Sequence, residues 1–248
     1  MKLVLDIWRQ SGPSSPGRFV RYGLTDIPAH FSLLDALDRL NVELVARGEV
    51  PIAFESDCRE GICGACGVVV GGRVHGGEPR TTTCELRVSA FEDGETITIE
   101  PLRAGAFPVL RDLIVDRSAL DRLIASGGYV SVRTGNAPEA NVIPIAKQTA
   151  EHALDAAACI GCGACVAACP NASAALFVGA KVTHLALLPQ GAPERKARAL
   201  AMVAAADREG FGACTSYGEC QAACPKGIGL DVITQLNREV LRPPRNRP

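Results

Sequence analysis

Ser56-Asp57-Cys58-Arg59-Glu60-Gly61-Ile62-Cys63-Gly64-Ala65-Cys66-Gly67, with Cys84 following after a longer gap, sets the terms for the rest of the chain. Cysteines spaced C-x4-C-x2-C ahead of a distant fourth form the plant-type ferredoxin pattern for a 2Fe-2S cluster. Two irons bridged by two sulfides need four thiolates arriving from one tight loop and one remote element. Gly61, Gly64 and Gly67 let the loop wrap closely enough for backbone amides to point at the sulfurs. The alternative is a zinc site on the same four thiolates. Zinc sites usually pair two C-x2-C knuckles, and only one pair here has that spacing.

Further along, Cys159-x2-Cys162-x2-Cys165-x3-Cys169-Pro170 has the bacterial ferredoxin spacing, in which three thiolates hold one 4Fe-4S cluster and the fourth reaches a different cluster. That rule calls for a second run. It exists as Cys214-x2-Tyr217-x2-Cys220-x3-Cys224-Pro225, with Tyr217 where the second cysteine would stand. If the runs exchange fourth ligands, Cys159, Cys162, Cys165 and Cys224 make a complete set for 4Fe-4S. Cys169, Cys214 and Cys220 make a set of three. A cube lacking one thiolate corner can lose that iron, so the set of three points to a 3Fe-4S cluster beside Tyr217. The alternative is that Tyr217 or an exogenous ligand caps a fourth iron. On this allocation none of the 11 cysteines is left over.

The chain has 248 residues, enough for one large domain or two small ones. A formal charge of -1 offers no bulk attraction to nucleic acid, so no nucleic-acid partner is expected. Apolar residues make up 47% and charged ones 21%, a globular composition, while only 4% are aromatic, so the core must be aliphatic. Asp6 and Arg9 fall where a secretory h-region would sit, which points to a cytosolic chain with reduced thiols. The run from Ala156 to Ala180 carries no charge over 25 residues, long enough to span a bilayer. Its four cysteines at ligand spacing, its glycines and Pro170 argue instead for a buried metal site.

Periodicity predicts an α+β chain. Leu3, Leu5 and Ile7 alternate with Val4, Asp6 and Trp8, and Phe19 to Leu24 reads as the second arm of a hairpin. Ser32 with Asp35 forms a capping-box signature ahead of Leu33, Ala36, Leu37, Leu40 and Leu44, and Gly48 supplies the stop. Val68-Val69-Val70, Gly71-Gly72 and Arg73-Val74 read as a tight hairpin, and Thr96 to Glu100 as a last strand. Beyond Pro101 the pattern turns helical: Val109 to Ser126, Lys147 to Ala158, Ala174 to Leu188, Glu194 to Glu209 and Leu230 to Leu241. The boundary is expected at residues 102 to 108, giving domains 1–105 and 106–248, with a frayed Pro243–Pro248 tail. His30, His75, His152 and His184 are scattered, and no ligand role is expected of them.

Three cluster sites with no Rossmann, Walker or nucleophile signature describe a wire rather than a catalyst. The cysteine loop, the two ferredoxin runs and the stretch Phe107-Pro108-Val109-Leu110-Arg111-Asp112-Leu113-Ile114-Val115-Asp116 resemble the iron-sulfur subunit of succinate dehydrogenase and fumarate reductase, over essentially the whole chain. The resemblance implies a β-grasp ferredoxin domain facing a flavoprotein catalytic subunit, followed by an all-α, bacterial-ferredoxin-like domain on a membrane anchor. It implies electrons passing through 2Fe-2S, 4Fe-4S and 3Fe-4S between FAD and a membrane quinone. FAD, and haem where the anchor carries it, would belong to partner subunits, and the chain would sit at the cytoplasmic face of the membrane. Succinate would be oxidised on another chain, so no catalytic residue is nominated here. A related alternative is a thiol-dependent fumarate reductase.

Members of the family that use ubiquinone carry a tryptophan and a histidine at the positions of Ala174 and Thr215, so the departures favour menaquinone. The resemblance offers Pro170, Thr215 and Arg238 as quinone-site candidates. Arg238, the family's basic position fourteen residues after the last cysteine, reads equally well as a solvated helix-face side chain. Arg238, Arg242, Arg245 and Arg247 together read as a solvated tail or as a contact for anionic headgroups.

Overall fold

Leu3, Leu5 and Ile7 form the buried face of strand β1 (Leu3–Arg9) in a computed structural model that describes residues 1–133, 135–136, 139–142 and 145–243. β1 pairs antiparallel with β2 (Arg18–Leu24) and parallel with β5 (Thr96–Pro101). β3 (Val68–Val70) joins β5 on its other side and pairs with β4 (Arg73–Val74), giving the order β2-β1-β5-β3-β4. The β3–β4 turn needs positive φ at two consecutive residues, which Gly71 (57°) and Gly72 (76°) supply. Helix α1 (Leu33–Ala46) opens on the expected capping box: Asp35 N–H donates to Ser32 Oγ, and Ser32 N–H donates back to Asp35 Oδ2. Its Leu33, Leu34, Leu37, Leu40 and Leu44 enter one core with Leu5, Ile7, Val68, Ile97 and Ile99.

A second core is helical. α5 (Ala175–Leu187) packs against α3 (Lys147–Ala157), α6 (Arg195–Arg208) and α8 (Asp231–Leu241), while α2 (Ser118–Gly127) lies on α6. Two one-turn helices, α4 (Ala164–Ala168) and α7 (Glu219–Ala222), sit inside the cysteine runs. The uncharged run 156–180 is thus broken by loops, and among the described residues no helix is long and apolar enough to cross a membrane. The tail beyond Pro243, with Arg245 and Arg247, lies outside the described residues.

One expected element is not formed. In place of a helix over Val109–Ser126, strands β6 (Val109–Arg111) and β7 (Ile114–Val115) make a hairpin, and α2 begins at Ser118. The cause is Asp112, at φ 47° and 2% exposed. Its Oδ1 accepts from Gln10 N–H (2.9 Å) and Arg9 Nε (3.1 Å), and its Oδ2 accepts from Ala53 N–H (3.0 Å). A helical Asp112 would leave three donors near the sheet without an acceptor, which costs more than one left-handed aspartate. The same segment crosses between cores: Leu102 and Phe107 belong to the helical core, whereas Leu113, later in the chain, belongs to the sheet core. Asp112→Ala should lower stability by about 3 kcal/mol, because buried donors lose a charged acceptor. Thermal unfolding followed by circular dichroism should show a midpoint lower by roughly 6–12 °C for a chain of this size.

Candidate metal centres

The loop carrying Cys58, Cys63 and Cys66 spans the gap between α1 and β3, and Cys84 reaches it from a turn after β4. Cys58 Sγ accepts from the N–H groups of Glu60 (3.4 Å), Ile62 (3.4 Å) and Cys63 (3.3 Å), and Cys63 Sγ from Ala65 N–H (3.4 Å). These amides pull the Cys58 thiol down to about 7, so that about half of it is thiolate at neutral pH. Cys66 and Cys84 are buried, and burial pushes the Cys66 thiol up to about 12. The site thus has two amide-cradled outer sulfurs and two buried inner ones, and the charge of a metal held there would offset the burial penalty. Thr82 Oγ1 lies 3.1 Å from Cys84 Sγ.

The second site gathers residues from both ferredoxin runs. Cys159, Cys162, Cys165 and Cys224 line one cavity, walled by Ile160, Phe177 and Ile228. Ile228 N–H donates to Cys224 Sγ (3.4 Å), and burial pushes Cys162 up to about 12 and Cys165 well above the ordinary thiol range. Cys169, Cys214 and Cys220 line a different cavity, with Tyr217 also on its wall.

Of the three quinone-site candidates, only Thr215 is on that last wall, where its hydroxyl accepts from Asn171 Nδ2 (2.8 Å). Pro170 and Arg238 are exposed and do not line it. The wall residues from α8 are Ile233, Thr234 and Asn237, joined by Ser173 and Ser216. Sequence reasoning missed them, although the helical spacing of 230, 233, 234 and 237 carried the signal. Of the histidines, His152 pairs with Asp231 (2.6 Å) and His75 is buried, its Nδ1 2.9 Å from Thr83 Oγ1 and its Nε2 unpartnered. Burial, then the Arg117 charge, lowers His75 to about 4, so it is neutral at pH 7.

The loops of the first two sites touch. A Cβ on Gly64, which has φ +73°, would come within 2.7 Å of Ile160 O and 3.1 Å of Cys162 N. Among the described residues no three His, Cys, Asp or Glu side chains close on a single ion. The fit to metal therefore rests on thiol donors spread around shared cavities and on amides aimed at sulfur, an arrangement suited to multi-iron centres.

Two thiol-lined domains of this kind define an iron-sulfur protein. Residues 4–122 match the family model of a 2Fe-2S iron-sulfur cluster binding domain, and residues 152–225 that of a 4Fe-4S dicluster domain. The chain is 30% identical to the succinate dehydrogenase iron-sulfur subunit of Bacillus subtilis, covering 84% of this chain and 79% of that one. It is 34% identical to the fumarate reductase iron-sulfur subunit of Mycobacterium tuberculosis, covering 71% and 69%. It is 31% identical to one of the subunits of the CoM/CoB fumarate reductase of Methanothermobacter marburgensis, covering 88% of this chain but 40% of that protein. In fold it is similar to a chain of the Mycobacterium smegmatis Sdh1 complex in the apo form, with a TM-score of 0.71, 21% identity and coverage of 96% and 95%. The chain belongs to the family of succinate dehydrogenase and fumarate reductase iron-sulfur subunits.

Proposed function

We propose that this chain is the electron-transfer subunit of a membrane-bound succinate dehydrogenase or fumarate reductase, linking the flavin of a catalytic subunit to a membrane quinone of the menaquinone type. When bound, the clusters supply one-electron transfer without bond making. The chain's own residues hold and space them: Cys58, Cys63, Cys66 and Cys84 for 2Fe-2S; Cys159, Cys162, Cys165 and Cys224 for 4Fe-4S; Cys169, Cys214 and Cys220 for 3Fe-4S. The observation that carries the reading is Cys224 on the wall of the Cys159–Cys162–Cys165 cavity, the crossed arrangement that a two-cluster ferredoxin uses. Residues 1–105 act as the β-grasp domain facing the flavoprotein and 106–248 as the bacterial-ferredoxin-like domain on the anchor, the division falling inside the segment that crosses between cores. The chain is held peripherally at the cytoplasmic face, and FAD and any haem belong to partners.

The likeness to the CoM/CoB fumarate reductase favours a second reading, in which the partner chemistry is thiol oxidation. Purification of the native complex separates the two. The expected result is about nine irons per chain, a copurifying flavoprotein and hydrophobic anchor, and succinate- or fumarate-linked quinone chemistry. Zinc in place of iron, or a cysteine-rich disulfide-reducing partner without quinone activity, would overturn it.

A further inference from the structure

Arg117 sits at the start of α2, with its side chain 20% exposed, and its guanidinium reaches both of the loops that touch. Nη1 donates to Gly64 O (2.6 Å) and to Cys162 O (3.0 Å), and Nη2 to Ala65 O (3.4 Å) and Glu55 Oε2 (3.0 Å). Gly64 directly follows Cys63, and Cys162 is itself one of the four thiols of the second cavity, so one planar fork joins the backbone of the two sites. Cys63 and Cys159 line a single crevice with Arg117 and Lys181. An ammonium group is a point charge and cannot present this spread of donors, whereas a guanidinium offers five in fixed geometry.

The geometry points to Arg117 as a positioning residue for the electron step between the first two centres: it pins the two loops together through their carbonyls and places a fixed positive charge at their junction. This rests on the cluster assignment proposed above. With the clusters held by the cysteines assigned above, one electron supplied by a reduced flavin on the partner would leave the two-iron centre, oxidising it, and enter the four-iron centre, reducing it. No proton moves and no bond changes. The charge acts more strongly on the buried four-iron site than on the half-exposed two-iron loop, because a low-dielectric surrounding screens it less.

The test compares wild type, Arg117→Gln and Arg117→Lys in the assembled complex, each with iron content and thermal midpoint measured. Electron paramagnetic resonance in a reductive titration then reads both midpoint potentials and the relaxation enhancement that each reduced centre imposes on the other. In Arg117→Gln the equilibrium constant for passing the electron forward should fall about tenfold, a change of about 59 mV in the gap between the centres, and the mutual relaxation should weaken. Arg117→Lys should restore most of the gap but not the relaxation, because it keeps the charge and loses the fork. A fully loaded Arg117→Gln complex with unchanged gap and relaxation, even with a lower thermal midpoint, overturns the inference and leaves Arg117 as packing only. If Arg117→Gln does not retain its iron, Arg117→Lys decides: weakened relaxation supports the inference and unchanged relaxation overturns it. Absence of the two-iron and four-iron signals from wild type would instead overturn the cluster assignment.

Discussion

Cys224→Ser should remove the four-iron signal while the two-iron and three-iron signals remain, although Cys224 lies four residues after Cys220 and far along the chain from Cys159, Cys162 and Cys165. Cys224 shares their cavity wall, and its negative charge adds to the burial that disfavours the Cys159 and Cys162 thiolates. Three thiolates and a weaker alkoxide donor remain in the variant, and one corner of the cube loses its soft ligand. Cys169→Ser should do the reverse and damage the site of Cys214 and Cys220, whose cavity it lines. Low-temperature electron paramagnetic resonance of oxidised and reduced samples, with iron counts, reads both outcomes. If each substitution damages only the centre of its own run, the crossed assignment is wrong.

Tyr217→Cys should convert the remaining centre. Tyr217 occupies the ligand position of the second run, lines the cavity with Cys169, Cys214 and Cys220, and is 61% exposed, so its loss empties no core. A cysteine there supplies the missing thiolate, and the site should take up a fourth iron. The oxidised three-iron signal should disappear, and total iron should rise by about one per chain. The added iron and thiolate change the cluster type and its electronics, which are among the determinants of its potential, so the potential should fall and the last step toward quinone should become uphill. Quinone reduction should slow, while an artificial acceptor that takes electrons from the earlier centres should be reduced at nearly the wild-type rate. A three-iron signal that survives in a fully loaded variant would show that the surroundings, and not the absent thiolate, keep the site at three irons.

The strands of the five-stranded sheet and five of the helices were legible because each depends on local spacing, an alternation of two or a periodicity of 3.6, and the cysteine gaps marked the thiols that line the cavities. The β6–β7 hairpin was not. Val109, Leu110, Leu113 and Ile114 also satisfy a helical repeat, and what decides against the helix is Asp112 meeting Arg9 and Gln10, 103 and 102 residues away in sequence. Arg117 escaped for the same reason, since its partners lie 45 to 62 residues distant. Angle decides which side chains of α8 reach the cavity of Cys169, Cys214 and Cys220. Arg238 and Asn237 are adjacent in sequence, but one residue turns a helix by about 100°, and the cavity takes Asn237.

The crossing of Leu102, Phe107 and Leu113 between the two cores bears on how the chain comes off the ribosome. The leading half cannot seal its interior when residue 105 emerges, because Leu113 and the carboxylate of Asp112 are still inside the exit tunnel or just leaving it. Leu102 is already out by then and Phe107 follows, and neither has α5 or α6 to pack against, since those helices are synthesised more than sixty residues later. A nascent chain is therefore sticky between these points. A defined interval therefore separates the emergence of Leu113, which completes the sheet core, from the arrival of Ile160 over Gly64, and during it the first cysteine loop stays open on the side that Ile160 later covers.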